Sequence, residues 1–239
     1  MDIKNKLFKF LKPAPVNVRH AEYSMLFSAD DEISKPNDRL FDFAMESAKA
    51  AHHTNLDDIV ARSLPQNYLD INPGEHYKLL AGMVQVMKPT LVIEVGTATG
   101  LSSLSMLKFL PANGKLVTFD IIEWDKYPGG NFLKKEDFDD GRLKQFTDDL
   151  SEKNGFSKHV ELLKKADLIF VDAAKDGSQE QRFIDNFKSI KFDHPPIVVF
   201  DDIRLWNMLK IWRELNLPKM DITSFGHWSG TGIVDWKNN

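Results

Sequence analysis

The sequence has 239 residues, 42% hydrophobic and 28% charged, as expected for one globular domain, alone or with an appended helical segment. Its 31 basic and 35 acidic residues give a formal net charge of −4, which disfavours nucleic-acid binding. The absence of cysteine excludes disulfides, thiolate metal sites and cysteine nucleophiles. Neither an apolar run of roughly 18 residues nor a secretory signal is evident, so we expect a cytoplasmic protein without a membrane partner.

The N-terminal part of the chain shows helical patterns and no convincing strand. Apolar spacing predicts helices at residues 39–52 and 56–64, joined to the rest by polar stretches. We therefore predict a helical N-terminal segment, residues 1–71, that contributes to an acceptor pocket or to a homodimer contact.

From residue 72 onward, buried-strand patterns alternate with helical ones. Residues 72–75 resemble a helix cap, and an apolar helical face follows from Leu79 to Met87. This alternation predicts an α/β fold with a parallel sheet covered by helices over residues 72–239. The other predicted elements are strands at 90–95, 115–120, 167–172 and 196–201, helices at 101–110, 179–190 and 205–215, and a closing antiparallel pair at 221–225 and 232–236.

A glycine-containing loop follows the first predicted strand. Its spacing, E-x-G-x-x-x-G from Glu94 to Gly100, lacks the third glycine of the dinucleotide fingerprint. Asp120 ends the next predicted strand, where a carboxylate can accept both hydroxyls of a ribose. This combination favours a nucleoside cofactor without a diphosphate, and S-adenosylmethionine is the obvious candidate. An ordinary strand–turn–helix connection is the alternative.

Residues 94–100 followed by Asp120 resemble motif I of the class I S-adenosylmethionine-dependent methyltransferases. The resemblance implies a doubly wound, mostly parallel seven-stranded sheet with an antiparallel last strand. It places the methionine carboxylate near Ser102, at a helix start that attracts anions, and Asp148 near the adenine amino group, although a solvated loop acid is the alternative there. The residues expected at the cofactor are Glu94, Gly96, Thr97, Gly100, Ser102, Asp120, Asp148 and Asp172.

Acidic residues also end two later strands. Asp172 ends one predicted strand, Asp201 ends the next, and Asp202 directly follows Asp201. Because ligands of open α/β sheets lie at the carboxyl ends of the strands, these carboxylates should converge. Their mutual repulsion would be relieved by a hard divalent cation, such as magnesium or calcium. Helix capping or turn formation is the alternative role.

Residues 170–176 and 200–206 resemble the metal motifs of the cation-dependent O-methyltransferases, the catechol and caffeoyl-CoA type. The resemblance, which covers residues 72–236, implies that Asp172, Asp201 and Asp202 bind the metal and that Lys175 is the base. Position 202 is Asp where the family usually has Asn, a change that could shift the expected Mg²⁺ preference towards Ca²⁺ or Mn²⁺. A solvated surface position is the alternative for Lys175.

Three further features bear on the acceptor and on the metal. The polar stretch at residues 123–142 is either a lid hinged near residues 128–130 or a surface insertion. His227, Trp228 and Trp206 either line an acceptor pocket or fill core and surface. The seven histidines show no two-histidine metal spacing, so the sequence gives no support for transition-metal chemistry.

The leading hypothesis is a methyltransferase acting on a hydroxyl of a small molecule, phenolic, catechol-like or with vicinal hydroxyls. It would use a divalent metal as Lewis acid and Lys175 as base. Three alternatives remain: a metal-independent methyltransferase for another nucleophile, an NAD-dependent oxidoreductase, and a non-catalytic binding module. The missing third glycine counts against the oxidoreductase.

Overall fold

The architecture was obtained from a computed structural model, which describes residues 35–63 and 76–237. The predicted cap at residues 72–75 and most of the predicted N-terminal segment lie outside the described residues. Among the helices that are described, none combines the length and the apolar character needed to cross a membrane.

The centre of the molecule is a seven-stranded sheet with strand order β3-β2-β1-β4-β5-β7-β6. Neighbouring strands from β3 to β5 run parallel, whereas β7 is antiparallel to both β5 and β6. This arrangement confirms the predicted doubly wound sheet with an antiparallel last strand. The strands are β1 Leu91–Val95, β2 Lys115–Phe119, β3 Leu143–Phe146, β4 Leu168–Val171, β5 Ile197–Asp201, β6 Lys219–Asp221 and β7 Thr231–Asp235.

Helices cover both faces of the sheet. They are α1 Asp38–His52, α2 Asp57–Ser63, α3 Tyr77–Met87, α4 Leu101–Phe109, α5 Lys153–Leu163, α6 Gln179–Lys188 and α7 Met208–Glu214. Helices α1 to α4 share one hydrophobic core with alternate strand residues such as Val92 and Phe170, and α5 to α7 share a second core with Ile93 and Phe200. Since the central strands are buried on both faces, their sequences are almost entirely hydrophobic, with Glu94 as the charged residue of β1.

The described part of the N-terminal segment packs into the first of these cores. Helix α1 lies so close to α3 that a Cβ atom on Gly82 would be 2.4 Å from the carbonyl oxygen of Ser47. The Arg39 guanidinium and the Asn37 amide both donate to the Asp235 carboxylate at the end of β7. The described helices before residue 64 share a core with those after residue 76. The division into residues 1–71 and 72–239 stays a prediction.

Two predicted elements were misplaced. The predicted strand at 221–225 was wrong: β6 ends at Asp221, whose carboxylate accepts from the Thr223 amide and hydroxyl, and a 3₁₀ turn follows at Thr223–Phe225. Such aspartate-centred turns compete with sheet hydrogen bonds. Helix α7 begins at Met208, three residues later than predicted. Strand β3 and helix α5 were not located from the sequence.

Candidate active site

A cavity of about 460 Å³ opens at the carboxyl ends of β1, β2 and β4. This volume lies in the range typical of small-molecule sites. Four of the residues predicted at the cofactor line it: Gly96, Asp120, Asp148 and Asp172. Parallel strands bring these residues to one rim although they are far apart in sequence. Glu94, Thr97, Gly100 and Ser102 are not among the lining residues.

Gly96 is fixed by the close approach of two strand ends. Its φ is +100°, and a Cβ atom would lie 1.8 Å from the carbonyl oxygen of Asp172. Its amide donates to the carbonyl of Phe119 at 2.8 Å. A side chain here would clash with backbone, so only glycine lets the β1 loop cross between β2 and β4.

Asp120 organises the loop that follows β1. One carboxylate oxygen accepts the amides of Thr97 and Ala98 at 3.0 Å each, and the other accepts the amide of Ile122 at 3.1 Å. A carboxylate has about four acceptor positions, so capacity remains for a ligand. The loop and the acid therefore form one rigid unit beside the cavity.

Glu94 lies beneath this loop, fully buried. It accepts hydrogen bonds from the hydroxyls of Ser102, at 2.5 Å, and Ser103. Burial raises the pKa of Glu94 to about 7, and the hydrogen bonds from the two serines only partly offset it. In this structure the Ser102 hydroxyl thus points to Glu94, and the predicted contacts of both residues with the cofactor stay predictions.

Thr97 and Gly100 support the loop from inside. The Thr97 hydroxyl lies 2.7 Å from that of Thr118 and accepts the Gln145 amide at 3.0 Å. Gly100 has a φ of +81°, and its Cα faces the buried side chain of Leu133. Their backbone geometry shapes the loop, and their predicted contact with the cofactor stays a prediction.

Asp148 enters the cavity from the connection after β3. It pairs with Lys158 at 2.6 Å and with His159 at 2.8 Å. Hydrogen bonds from Lys158 and then His159 hold the pKa of Asp148 below its usual value. Asp148 is therefore an anchored carboxylate at the cavity edge.

The stretch at residues 123–142 packs over the loop that follows β1, residues 96–100. Tyr127 lines the cavity, and the Phe132 amide donates to the Thr99 carbonyl at 2.9 Å. Arg62 of α2 holds Asp137 through both of its terminal nitrogens, at 2.7 to 3.0 Å. These contacts make the stretch a wall of the cavity; whether it also opens as a lid stays a prediction.

The three predicted metal ligands converge next to the same cavity. One oxygen each of Asp172, Asp201 and Asp202 lies within 4.8 Å of the other two. The amine of Lys175, which is 5% exposed, lies 2.5 Å from Asp172 Oδ1 and 3.4 Å from Asp202 Oδ2. The structure thus brings the predicted base and the predicted ligands together, as a lysine surrounded by carboxylates.

Burial and mutual charge set the ionisation of this cluster. Burial opposes the charge on Lys175, but the three carboxylates outweigh it and raise the pKa of the amine. Burial likewise opposes ionisation of Asp201 and Asp202, but the charge of His76 and then of Lys175 lowers the pKa of Asp201, and His227 and Lys175 lower that of Asp202. At Asp172 burial dominates and raises the pKa. Lys175 is therefore an ammonium ion in this arrangement.

The donor set fits a divalent cation. Asp201 Oδ1 is buried and has no hydrogen-bond partner among the described residues. Buried polar atoms without partners are rare and ask for an explanation, and a cation is one. Carboxylate oxygens are the ligands preferred by Mg²⁺, Ca²⁺ and Mn²⁺.

Two neighbours of the cluster, Glu180 and His76, were missed by sequence reasoning, and His227 was considered only for the acceptor pocket. Glu180, fully buried, accepts the Lys175 amide at 2.5 Å and the Gly177 amide at 2.9 Å, and so shapes the loop that carries Lys175. His76 and His227 both face Asp201. Glu180 lies five residues from Lys175 and was within reach of a local motif search, whereas the histidines are brought in by tertiary packing.

Left-handed backbone is concentrated at this rim. Four non-glycine residues with positive φ lie in its loops: Ala98, Lys175, Asp202 and Trp206. Such conformations cost about 1 kcal/mol or more each and tend to gather where a ligand site dictates the backbone.

The sheet order and the loops at its rim define the class I methyltransferase fold. A family model described as O-methyltransferase matches residues 46–211, more than half of the chain. The chain therefore belongs to the O-methyltransferase family and is a methyltransferase of the S-adenosylmethionine-dependent class. The family model matches from residue 46, whereas the resemblance seen in the sequence began at residue 72. The family match therefore includes part of the N-terminal segment.

Solved structures share this fold at low sequence identity. A cofactor-bound protein from MTB, Rv0187, is 18% identical with a TM-score of 0.51, and the match covers 95% of this chain and 100% of that one. A candidate caffeoyl-CoA O-methyltransferase from Staphylococcus aureus is 17% identical with a TM-score of 0.54, covering 83% and 98%. A methyltransferase from Geobacter sulfurreducens is 12% identical with a TM-score of 0.51, covering 75% and 90%. A search of curated proteins found no match.

Proposed function

We propose that the protein transfers a methyl group from S-adenosylmethionine to a hydroxyl of a small phenolic, catechol-like or vicinal-diol molecule, with a divalent metal and Lys175 taking part. The observation that carries the proposal is one shared residue. Asp172 lines the cavity beside the Gly96 loop and also belongs to the carboxylate cluster. A methyl donor in the cavity and an acceptor at the cluster would therefore be neighbours.

On the donor side, each predicted contact has a physical role. Asp120, already oriented by three backbone amides, has acceptor capacity left for ribose hydroxyls. Asp148, held by Lys158 and His159, can accept from the adenine amino group. Gly96 has no side chain, so the cofactor can approach the backbone closely.

On the acceptor side, Asp172, Asp201 and Asp202 would hold the cation, whose expected identity is Mg²⁺ with Ca²⁺ or Mn²⁺ as the other candidates. When bound, such an ion supplies Lewis acidity that lowers the pKa of an acceptor hydroxyl. By holding the ion, the three carboxylates would position an acceptor that has two neighbouring oxygens, and much of the rate would come from this positioning.

In this proposal Lys175 takes the hydroxyl proton. Its amine is buried beside Asp172 and Asp202, and Glu180 fixes its backbone. Surrounded by three carboxylates, the amine keeps its own proton. It can act as a base only where their charge is compensated by another cation.

Two exposed tryptophans lie close in sequence to residues of the cluster and suit a planar acceptor. Trp206, four residues after Asp202, is 54% exposed, and Trp228, next to His227, is 65% exposed. Large exposed aromatic rings near a site offer stacking surface to an aromatic ligand. They support a phenolic or catechol-like acceptor over an aliphatic one.

One observation favours a second candidate, methyl transfer without metal. The Lys175 ammonium already lies among the carboxylates and compensates part of their charge. In that reading the acids position another small-molecule nucleophile, and the reaction proceeds in chelator.

The test combines calorimetry with a methyl-transfer assay. S-adenosylhomocysteine should bind with micromolar affinity, and phenols and catechols should accept labelled methyl in Mg²⁺ but not in chelator. Lys175→Gln should retain S-adenosylhomocysteine binding and lose transfer, whereas Lys188→Gln, an exposed lysine on α6, should behave as wild type. Transfer that survives chelator supports the metal-free alternative, and failure to bind S-adenosylhomocysteine refutes both.

A further inference from the structure

Two histidines from distant parts of the chain meet at Asp201. His76 lies just before α3, and His227 lies in the connection between β6 and β7. Their Nδ1 atoms lie 3.5 Å and 3.3 Å from Asp201 Oδ1, respectively. One ligand atom from each of the three residues lies within 4.8 Å of the other two.

This group contains buried polar atoms without hydrogen bonds. Within the described part of the chain, neither ring nitrogen of His76 nor Oδ1 of Asp201 has a hydrogen-bond partner. The two residues are 4% and 2% exposed. Leaving such groups unsatisfied is costly and rare in folded proteins, so their joint presence points to an ion shared between them.

The imidazole of His76 is held in place by ring packing. Its centroid lies 4.6 Å from that of Tyr77, 5.2 Å from Phe170 and 5.3 Å from His227. The ring therefore keeps its orientation towards Asp201 without a hydrogen bond. A side chain that is already held in its binding orientation loses little entropy when it binds an ion.

The distances from Asp201 Oδ1 to the two histidine nitrogens match those between neighbouring ligands of a transition metal. With metal–ligand distances of about 2.1 Å, neighbouring ligand atoms lie about 3.0 Å apart at right angles and about 3.4 Å apart in a tetrahedron. We propose that His76, His227 and Asp201 form a binding site for a divalent first-row transition-metal ion such as Mn²⁺, Fe²⁺, Co²⁺ or Zn²⁺. Imidazole nitrogens suit Fe²⁺ and Zn²⁺ in particular, and Co²⁺ and Mn²⁺ accept them beside carboxylate oxygens, whereas Mg²⁺ and Ca²⁺ prefer oxygen alone.

The site shares Asp201 with the carboxylate cluster but does not depend on methyl transfer. Two histidines and one carboxylate leave coordination positions open, and Asp202 Oδ1 lies 3.3 Å from His227 Nδ1. The Ser229 hydroxyl contacts both His227 Nδ1, at 2.7 Å, and Asp202. An ion on Nδ1 would replace the first contact, and the hydroxyl would keep Asp202 as its acceptor.

The competing state has no metal. Burial opposes protonation of His76, but the Asp201 carboxylate outweighs it and raises the pKa of the imidazole. An imidazolium paired with Asp201 would then compensate the charge. The two states differ in one observable property: only the first places nitrogen atoms on a bound metal ion.

The experiment is pulsed electron paramagnetic resonance on chelator-treated protein loaded with Mn²⁺. Wild type should show coupling between the ion and directly bound ¹⁴N nuclei. His76→Gln and His227→Gln should each weaken Mn²⁺ binding by about tenfold or more and reduce that coupling. His52→Gln, which changes an exposed histidine at the end of α1, should match wild type.

The outcomes separate this proposal from the proposed function. Mn²⁺ bound without ¹⁴N coupling would place the ion on carboxylates alone and overturn the histidine site, as would no detectable binding of Mn²⁺, Co²⁺ or Zn²⁺. The wild-type spectrum decides this even if a variant is unstable. S-adenosylhomocysteine titrations of the same samples report on the methyltransferase proposal: a wild type with nitrogen coupling but no such binding would refute that proposal and leave the metal site intact.

Discussion

The two halves of the site rim differ in how their polar groups are satisfied. At the ends of β1 and β2, Asp120 and Glu94 each accept several hydrogen bonds from the chain itself. At the end of β5, Asp201 and His76 leave buried polar atoms without hydrogen bonds among the described residues. The cofactor half is thus organised by the chain alone, whereas the electrostatics of the acidic half depend on what binds there.

The largest expected effect separates the halves by function. Asp201→Asn should reduce methyl transfer about a thousandfold, because the several kcal/mol that metal assistance contributes would be lost. Its affinity for S-adenosylhomocysteine should stay within about twofold of wild type. Asp120→Asn should show the opposite pattern, with affinity reduced about tenfold. Calorimetry measures the affinity and the transfer assay measures the rate. If both variants lost affinity and transfer to the same extent, the two halves would not differ in function.

Steric rigidity of the cofactor half gives the next effect. Gly96→Ala should lower the free energy of unfolding by about 3–5 kcal/mol, because its Cβ would lie 1.8 Å from the carbonyl oxygen of Asp172. Gly130→Ala is the matched control: its φ of +99° is nearly the same, and nothing lies within 4 Å. That variant should lose only about 1 kcal/mol in urea denaturation. Equal losses would show that backbone strain, not the close approach, determines the effect.

The buried Glu94 carboxyl predicts a pH dependence. Burial raises its pKa from 4.5 to about 7, so its contribution to stability is complete below about pH 4.5 and is lost as pH rises through 7. Between about pH 5 and pH 8, Glu94→Gln should gain on the order of 2 kcal/mol relative to wild type in thermal unfolding. Glu161→Gln, at an exposed position, should track wild type over that range. A Glu94→Gln difference that stays flat across the range would contradict the raised pKa.

The smallest effect concerns the wall over the cofactor half. Arg62 and Asp137 form a bidentate, partly buried ion pair. A double-mutant cycle to alanine should give a coupling energy of about 1 kcal/mol. The exposed pair of Lys126 and Glu123 in the same stretch should give no measurable coupling. Indistinguishable couplings would mean that residues 123–142 are not fixed to α2.

The sequence predicted the central strands within a residue or two because strands buried on both faces are continuous apolar runs. Strand β3 escaped notice, since Lys144 and Gln145 interrupt a short strand at the edge of the sheet. The convergence of Asp172 and Asp201 followed from parallel topology alone. By contrast, the meeting of His76 with His227 depends on tertiary packing between segments that share no motif. The hydrogen bond from Ser102 to Glu94 could not be predicted either, because the spacing of residues in the sequence does not determine where a side chain points.

The left-handed backbone at Asp202, with a φ of +58°, restricts which residues evolution can place there. Asparagine, aspartate and glycine enter that conformation most readily. Two of these three also offer a ligand oxygen, and they differ by one unit of charge. A substitution between them would change the net charge of the acidic half without rebuilding the loop. Under the proposed function, position 202 is therefore a point at which drift or selection would adjust ion preference in single steps.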